Sequence, residues 1–183
     1  MKTVWINTGA WVAAVLVALT LALASPTEST VMGRLLPVTA KRVDQQTVSL
    51  PAAFASERTL VLIAFSKTHR PDVESWIAGL RLEAGSVPWI RMAVYQDPGD
   101  ATRRVAIEEH LRLRYTNSPQ KDHVLAVVTG ERDALLRAAG IAGTEQMVAL
   151  VLNRQGDVLA RTTGAFDPDK GEALRATLLE NTL

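Results

Sequence analysis

The chain has 183 residues, 48% of them hydrophobic and 21% charged, with 20 basic against 19 acidic side chains and no cysteine. That length suits one domain with a real core, and the balance of charge gives no long-range pull toward nucleic acid or anionic lipid. Without a thiol the chain has no thiolate nucleophile, no dithiol redox couple and no cysteine metal ligand.

At the amino terminus Lys2 precedes an apolar run from Ala10 to Ala24, and Ala22-Leu23-Ala24 before Ser25-Pro26 has the small-residue form of a cleavage site. Residues 1–24 are therefore expected to be an export signal. The alternative is an uncleaved membrane anchor, since Val4 to Ala24 is about the length a bilayer requires, although Asn7, Thr8 and Gly9 interrupt it. Losing this segment removes Lys2 and no acid, which leaves a formally neutral chain of 19 basic and 19 acidic groups. Residues 25–33 are polar and small and read as a linker, with the folded domain expected over 34–183.

Leu36 to Leu50 carries Val38, Val43 and Val48 around Asp44-Gln45-Gln46, a pattern of two short strands joined by a turn. Pro51 to Glu57 leads on through a turn or short helical piece, with Phe54 as a packing residue. Leu60 to Phe65 is an apolar run between polar neighbours, as in a strand covered on both faces. Pro71 suits a first helical turn, Asp72 and Glu74 place negative charge at the positive end of a helix, and Val73, Trp76, Ile77 and Leu80 recur at helical spacing, with Gly85-Ser86 ending the helix. Ser66 to Pro71 is then a loop at the carboxyl end of a buried strand, where open α/β folds place their ligands.

Val87 to Tyr95 reads as the next strand, with Ile90, Met92 and Val94 on one face and Trp89 on the other. Asp97 to Asp100 is a turn, and Ala101 to Leu113 a helix whose Arg104, Glu108 and Arg112 are spaced to pair along one solvated face. Tyr115 to Asp122 reads as a polar, mobile loop. A strand over His123 to Thr129, a short helix over Glu131 to Ala139 ended by Gly140, and a hairpin of Met147 to Leu152 with Val158 to Thr162 follow, and a helix over Pro168 to Leu179 capped by Asp167 closes the chain. The fold class is α/β: a mixed sheet with helices on both faces and an extra amino-terminal hairpin.

This order resembles the thioredoxin-like superfamily over about Leu36 to Leu179, with a peroxiredoxin or TlpA-like arrangement. LIAFSKTHRPDVESW resembles the segment that holds the redox cysteines there, and MVALVLNRQGDVLARTTGAF resembles the closing hairpin that leads to the last helix. AFSKTHRPDVESW and the late hairpin are similar to a cysteine-less branch related to the mitochondrial ATP-synthase assembly factor family and its bacterial relatives. The chain departs from the superfamily where its chemistry lies. Ser66 to Pro71 holds no cysteine, and Met147, preceded by Glu145 and Gln146, stands where the superfamily has a cis-proline. Disulfide exchange and peroxide reduction need a thiolate and are excluded.

Lys67, His69 and Arg70, with Thr68, make a small cationic loop, and Glu145 and Met147 approach from the closing hairpin; these six are the candidate binding residues. Simple solvation of an exposed loop is the plainer account of the three basic ones. No catalytic residue, cofactor or metal is expected. His69, His110 and His123 lack zinc-site spacing, there is no G-x-S-x-G turn, and no glycine-rich phosphate loop occurs. The expected function is an exported, redox-inactive module that binds a protein partner in the cell envelope or assists assembly, using the 66–71 rim and the 115–122 loop, without nucleic acid. The location would be periplasmic or otherwise extracytoplasmic, with inner-membrane anchoring through residues 1–24 as the alternative. The other functional reading is a small-anion-binding protein or non-thiol enzyme centred on Ser66 to Pro71.

Overall fold

The computed structural model describes residues 31–85 and 87–180, so the expected export segment lies outside the described residues. Seven strands form one sheet: β1 (Val38–Arg42), β2 (Thr47–Leu50), β3 (Arg58–Ala64), β4 (Trp89–Gln96), β5 (Val124–Thr129), β6 (Val148–Asn153) and β7 (Val158–Thr163). Four helices accompany it: α1 (Arg70–Gly79), α2 (Ala101–Tyr115), α3 (Arg132–Ala138) and α4 (Pro168–Leu179). The strand order is β2-β1-β5-β4-β3-β6-β7. The helical crossovers make β3, β4 and β5 mutually parallel, while β6, β7 and the β1–β2 hairpin run antiparallel to their neighbours.

β3 lies at the centre because both of its faces are apolar. Leu60, Leu62 and Ala64 pack on one side with Val73, Trp76 and Ile77 of α1 and Leu174 of α4. Val61, Ile63 and Phe65 pack on the other with Leu135 and Leu136 of α3 and with Leu35 and Phe54. The expected alternation in β4 holds, since Met92 and Val94 join the second group and Trp89 the first. α2 covers Ala93, Val124 and Ala126 through Leu111 and Tyr115. Helices therefore cover both faces of a mixed sheet, as the sequence implies.

The turns follow local chemistry. Gln45 adopts φ 69° at the tip of the first hairpin, Asp100 accepts a hydrogen bond from the Arg103 amide to start α2, and Asp167 accepts from the amides of Asp169 and Lys170 to start α4. Three expectations need correction. The loop after β3 is contracted, because Lys67–His69 forms a 3₁₀ turn that runs directly into α1. α1 stops at Gly79 and not at Gly85, since Arg81 turns left-handed at φ 53° before a 3₁₀ turn over Leu82–Ala84. Arg104, Glu108 and Arg112 do not pair with one another: Arg104 bonds Asp97, Glu108 bonds Lys41 of β1, and Arg112 bonds Glu109. Neighbouring elements supply the partners of Arg104 and Glu108, while Arg112 pairs within the helix at i, i+3.

The two edge strands are β2 and β7. β2 has four residues and runs into Pro51. The start of β7 exchanges backbone hydrogen bonds with the leading segment, Met32 N–H to Val158 O and Val158 N–H to Gly33 O, each 2.8 Å, and Arg34 pairs with Asp157.

Where α1 meets α4, the Phe166 ring sits between two helical glycines. A Cβ added at Gly79 or at Gly171 would lie 2.5 Å from a ring carbon. Alanine inside a helix normally stabilises by about 1 kcal/mol over glycine. Here Gly171→Ala is expected to destabilise by about 1–3 kcal/mol, because the ring has no room to retreat; urea unfolding of the variant checks the sign.

Candidate functional site

The carboxyl ends of β3 and β4 and the amino end of α1 converge on one recess. Ser66 leaves β3 in an extended conformation, and its hydroxyl accepts from the Thr68 amide at 3.2 Å, which starts the 3₁₀ turn. The turn leaves Lys67 and Thr68 exposed and Arg70 half-buried at the first residue of α1.

His69 lies beneath this surface, 5% exposed. Its Nδ1 accepts the Phe65 amide at 3.3 Å, so the ring proton is on Nε2, which donates to the Glu145 carbonyl at 3.2 Å. The ring also stands edge-on to Phe65 at 6.1 Å. His69 thus ties the end of β3 to the segment that enters β6, and both of its nitrogens are engaged. Removing it leaves two backbone groups unpaired, and His69→Ala is expected to cost about 1–3 kcal/mol by denaturant melting.

The candidate residues from the closing hairpin separate from the loop. Met147 is fully buried with Ala64, Val73 and Trp76, so its side chain offers no surface. Glu145 is exposed and lines a different, open hollow with Gln146, Arg161 and Thr163. Lys67 and Arg70 line the recess, and Glu145 does not.

The centre of the recess is a residue that sequence reasoning passed over. Arg91, on β4 opposite Leu62 and Val124, is 4% exposed. Its Nη1 donates to Glu74 Oε1 at 2.6 Å and to Gln120 Oε1 at 3.3 Å, and its guanidinium carbon lies 5.2 Å from the centre of the Tyr115 ring. Gln120 Nε2 in turn donates to Glu74 Oε2 and Glu83 Oε1, each at 3.1 Å. The segment after Tyr115 is accordingly not the free polar loop expected: Tyr115 ends α2 in the core, and Gln120 is buried in this network. The signal was legible in parity, since Arg91 shares the inward face with Trp89 and Ala93.

Around Arg91 the walls are Ser66, Lys67, Arg70, Tyr95 and Arg114, with His110 at the rim of α2 and no carboxylate among the lining residues. Among the described residues Lys67, Arg70 and Arg114 make no ion pair. Burial and the nearby Tyr115 push the Tyr95 hydroxyl above its ordinary range against the pull of Arg91, Arg70 and Arg114, so it is a protonated donor at neutral pH. The recess spans roughly 450 Å³ out to bulk water. Among the described residues no three His, Asp or Glu side chains converge as metal ligands.

Sheet order, the loop at the end of the central strand and the closing hairpin with its helix define a thioredoxin-like fold. No family model and no curated protein matches the chain. Solved structures of that fold do. BsSco, a member of the Sco family of cytochrome c oxidase assembly proteins with a disulfide switch, is 16% identical over 81% of this chain and 95% of its own, at a TM-score of 0.53. A putative electron transfer protein from Aquifex aeolicus is 12% identical over 81% and 92%, at 0.55. The thioredoxin domain of a thiol-disulfide oxidoreductase from Bacteroides vulgatus is 15% identical over 81% and 98%, at 0.50. The likeness is one of fold, and this chain carries it without a cysteine.

Proposed function

We propose that the protein is an exported, redox-inactive thioredoxin-like module that binds a protein partner in the cell envelope, in the manner of an assembly factor, through the surface around Lys67, Thr68 and Arg70. The observation that carries this reading is His69. The loop that resembles the cysteine-bearing loop of thiol proteins of this fold holds instead a buried histidine whose two nitrogens are engaged by backbone, so the loop is a fixed shape presenting exposed side chains. A preorganised surface binds with a smaller ordering cost, and a rim of cations that form no ion pair among the described residues favours an acidic partner. The Sco-family neighbour is described as belonging to an assembly family, and its shared fold supports the assembly reading by analogy.

A photo-crosslinking residue at Thr68, in the native envelope, tests it. A discrete protein adduct that disappears when Lys67 and Arg70 are both reversed to glutamate is expected. Equal adducts with and without the reversal, or substrate turnover by the purified protein that His69→Ala abolishes, would overturn it. The mass of the mature amino terminus separates a cleaved signal from an anchor.

A further inference from the structure

We propose that the Arg91 recess is a binding site for a single compact oxyanion, a carboxylate or phosphate group, held by Arg91 from below and by Lys67, Arg70 and Arg114 from the rim.

Arg91 is the anchor of the site. Its bonds to Glu74 and Gln120 use Nη1 alone. The buried side-chain donors without partners among the described residues are Trp89 Nε1 and Arg132 Nε. Among the described residues Arg91 Nε and Nη2 make no hydrogen bond, and Arg91 lines this recess. A guanidinium carried on a central strand and fixed through Nη1 by a carboxylate is a planar fork of donors, of which Nε and Nη2 are the pair suited to an oxyanion in the recess.

The surroundings add charge and subtract competition. Glu74 pairs with Arg91, but among the described residues Lys67, Arg70 and Arg114 make no ion pair and no carboxylate lines the space. Such a concentration in a chain whose overall charge is nearly balanced is a local feature and not a consequence of composition. Ser66 and Tyr95 supply hydroxyl groups at the same walls. The recess is narrow, about 40 Å³, a size that suits the head of one small oxyanion.

An inorganic ion and the carboxylate of a polypeptide share this chemistry. The site stands independently of the protein-binding reading, which it would deepen if the carboxylate is the partner's. Calorimetric titration of the purified full-length protein with inorganic phosphate, and with a short peptide ending in two acidic residues, is compared at ionic strength matched with sodium chloride. Arg114→Ala and Arg70→Ala are the site variants, and Arg137→Ala, exposed on α3, is the control. Binding that each site variant weakens at least tenfold and the control leaves within twofold is expected. Phosphate binding alone assigns the free ion, and peptide binding alone assigns a polypeptide carboxylate. No heat with either probe beyond matched chloride, or binding that both site variants leave unchanged, overturns the proposal. Loss of partner crosslinking with phosphate binding intact would refute the protein-binding reading and spare this one.

Discussion

Arg91→Ala should lower the melting temperature by roughly 5–15 °C, which corresponds to about 2–4 kcal/mol at about 2–4 °C per kcal/mol for a domain of this size. The change removes the cation that Glu74 faces, strips Gln120 of a donor, ends the contact with the Tyr115 ring and opens a void beneath α1. Breaking a fully buried pair costs about 3–5 kcal/mol. Glu74 is 43% exposed, so water recovers part of the loss and the lower figure applies. Glu74→Ala acts differently. It leaves a buried guanidinium among three other cations, and phosphate should then stabilise the variant more than the wild type. A double-mutant cycle of the two positions by urea unfolding should return a coupling of about 1–3 kcal/mol. A coupling near zero would mean that the network orients the recess without holding up the fold.

Trp76→Ala should cost about 3–5 kcal/mol, the largest loss expected from any position on α1. Its indole is fully buried against Leu60, Leu62, Met147 and Ala149, stands edge-on to Phe166 at 5.2 Å, and donates Nε1–H to the Gly164 carbonyl at 2.9 Å. It fastens the helix that begins at the candidate site to the turn between β7 and α4. Trp76→Phe separates the terms: packing is largely kept, the hydrogen bond is lost, and about 1–2 kcal/mol of the total should remain as the cost of the unpaired carbonyl and residual void. Equilibrium urea unfolding of both variants measures the split.

What was legible in the sequence follows from periodicity. The run Leu60 to Phe65 and the helical recurrence of Val73, Trp76 and Ile77 specified the central strand and α1, and the alternation in β4 placed Trp89 opposite Met92 and Val94. Asp167 before Pro168 announced α4, and the valines around Gln45 announced the first hairpin. The site was less legible, because its parts come from elements far apart in the chain. Lys67 and Arg70 were visible, but Arg91 and Arg114 reach the same recess only after two crossovers bring β4 and α2 beside α1. A basic residue in a strand is ordinarily assigned to solvent, and only its parity argued otherwise. The burial of His69 was illegible, since both of its partners are backbone groups, one of them 76 residues away. Gln120 looked like part of a polar loop because its acceptors and donors lie on α1, the turn that follows it and β4.

The two margins of the sheet bear on how the protein behaves when concentrated. An unguarded strand edge is a template for another molecule, and runaway pairing of that kind ends in fibrils. Here one border is a four-residue stub that meets a proline, and the start of the other is occupied by Met32 and Gly33. With no cysteine to form stray disulfides either, crowding should favour the dispersed state, and prolines placed at Met32 and Gly33, which end the pairing with Val158, should be the change that makes it begin to clump.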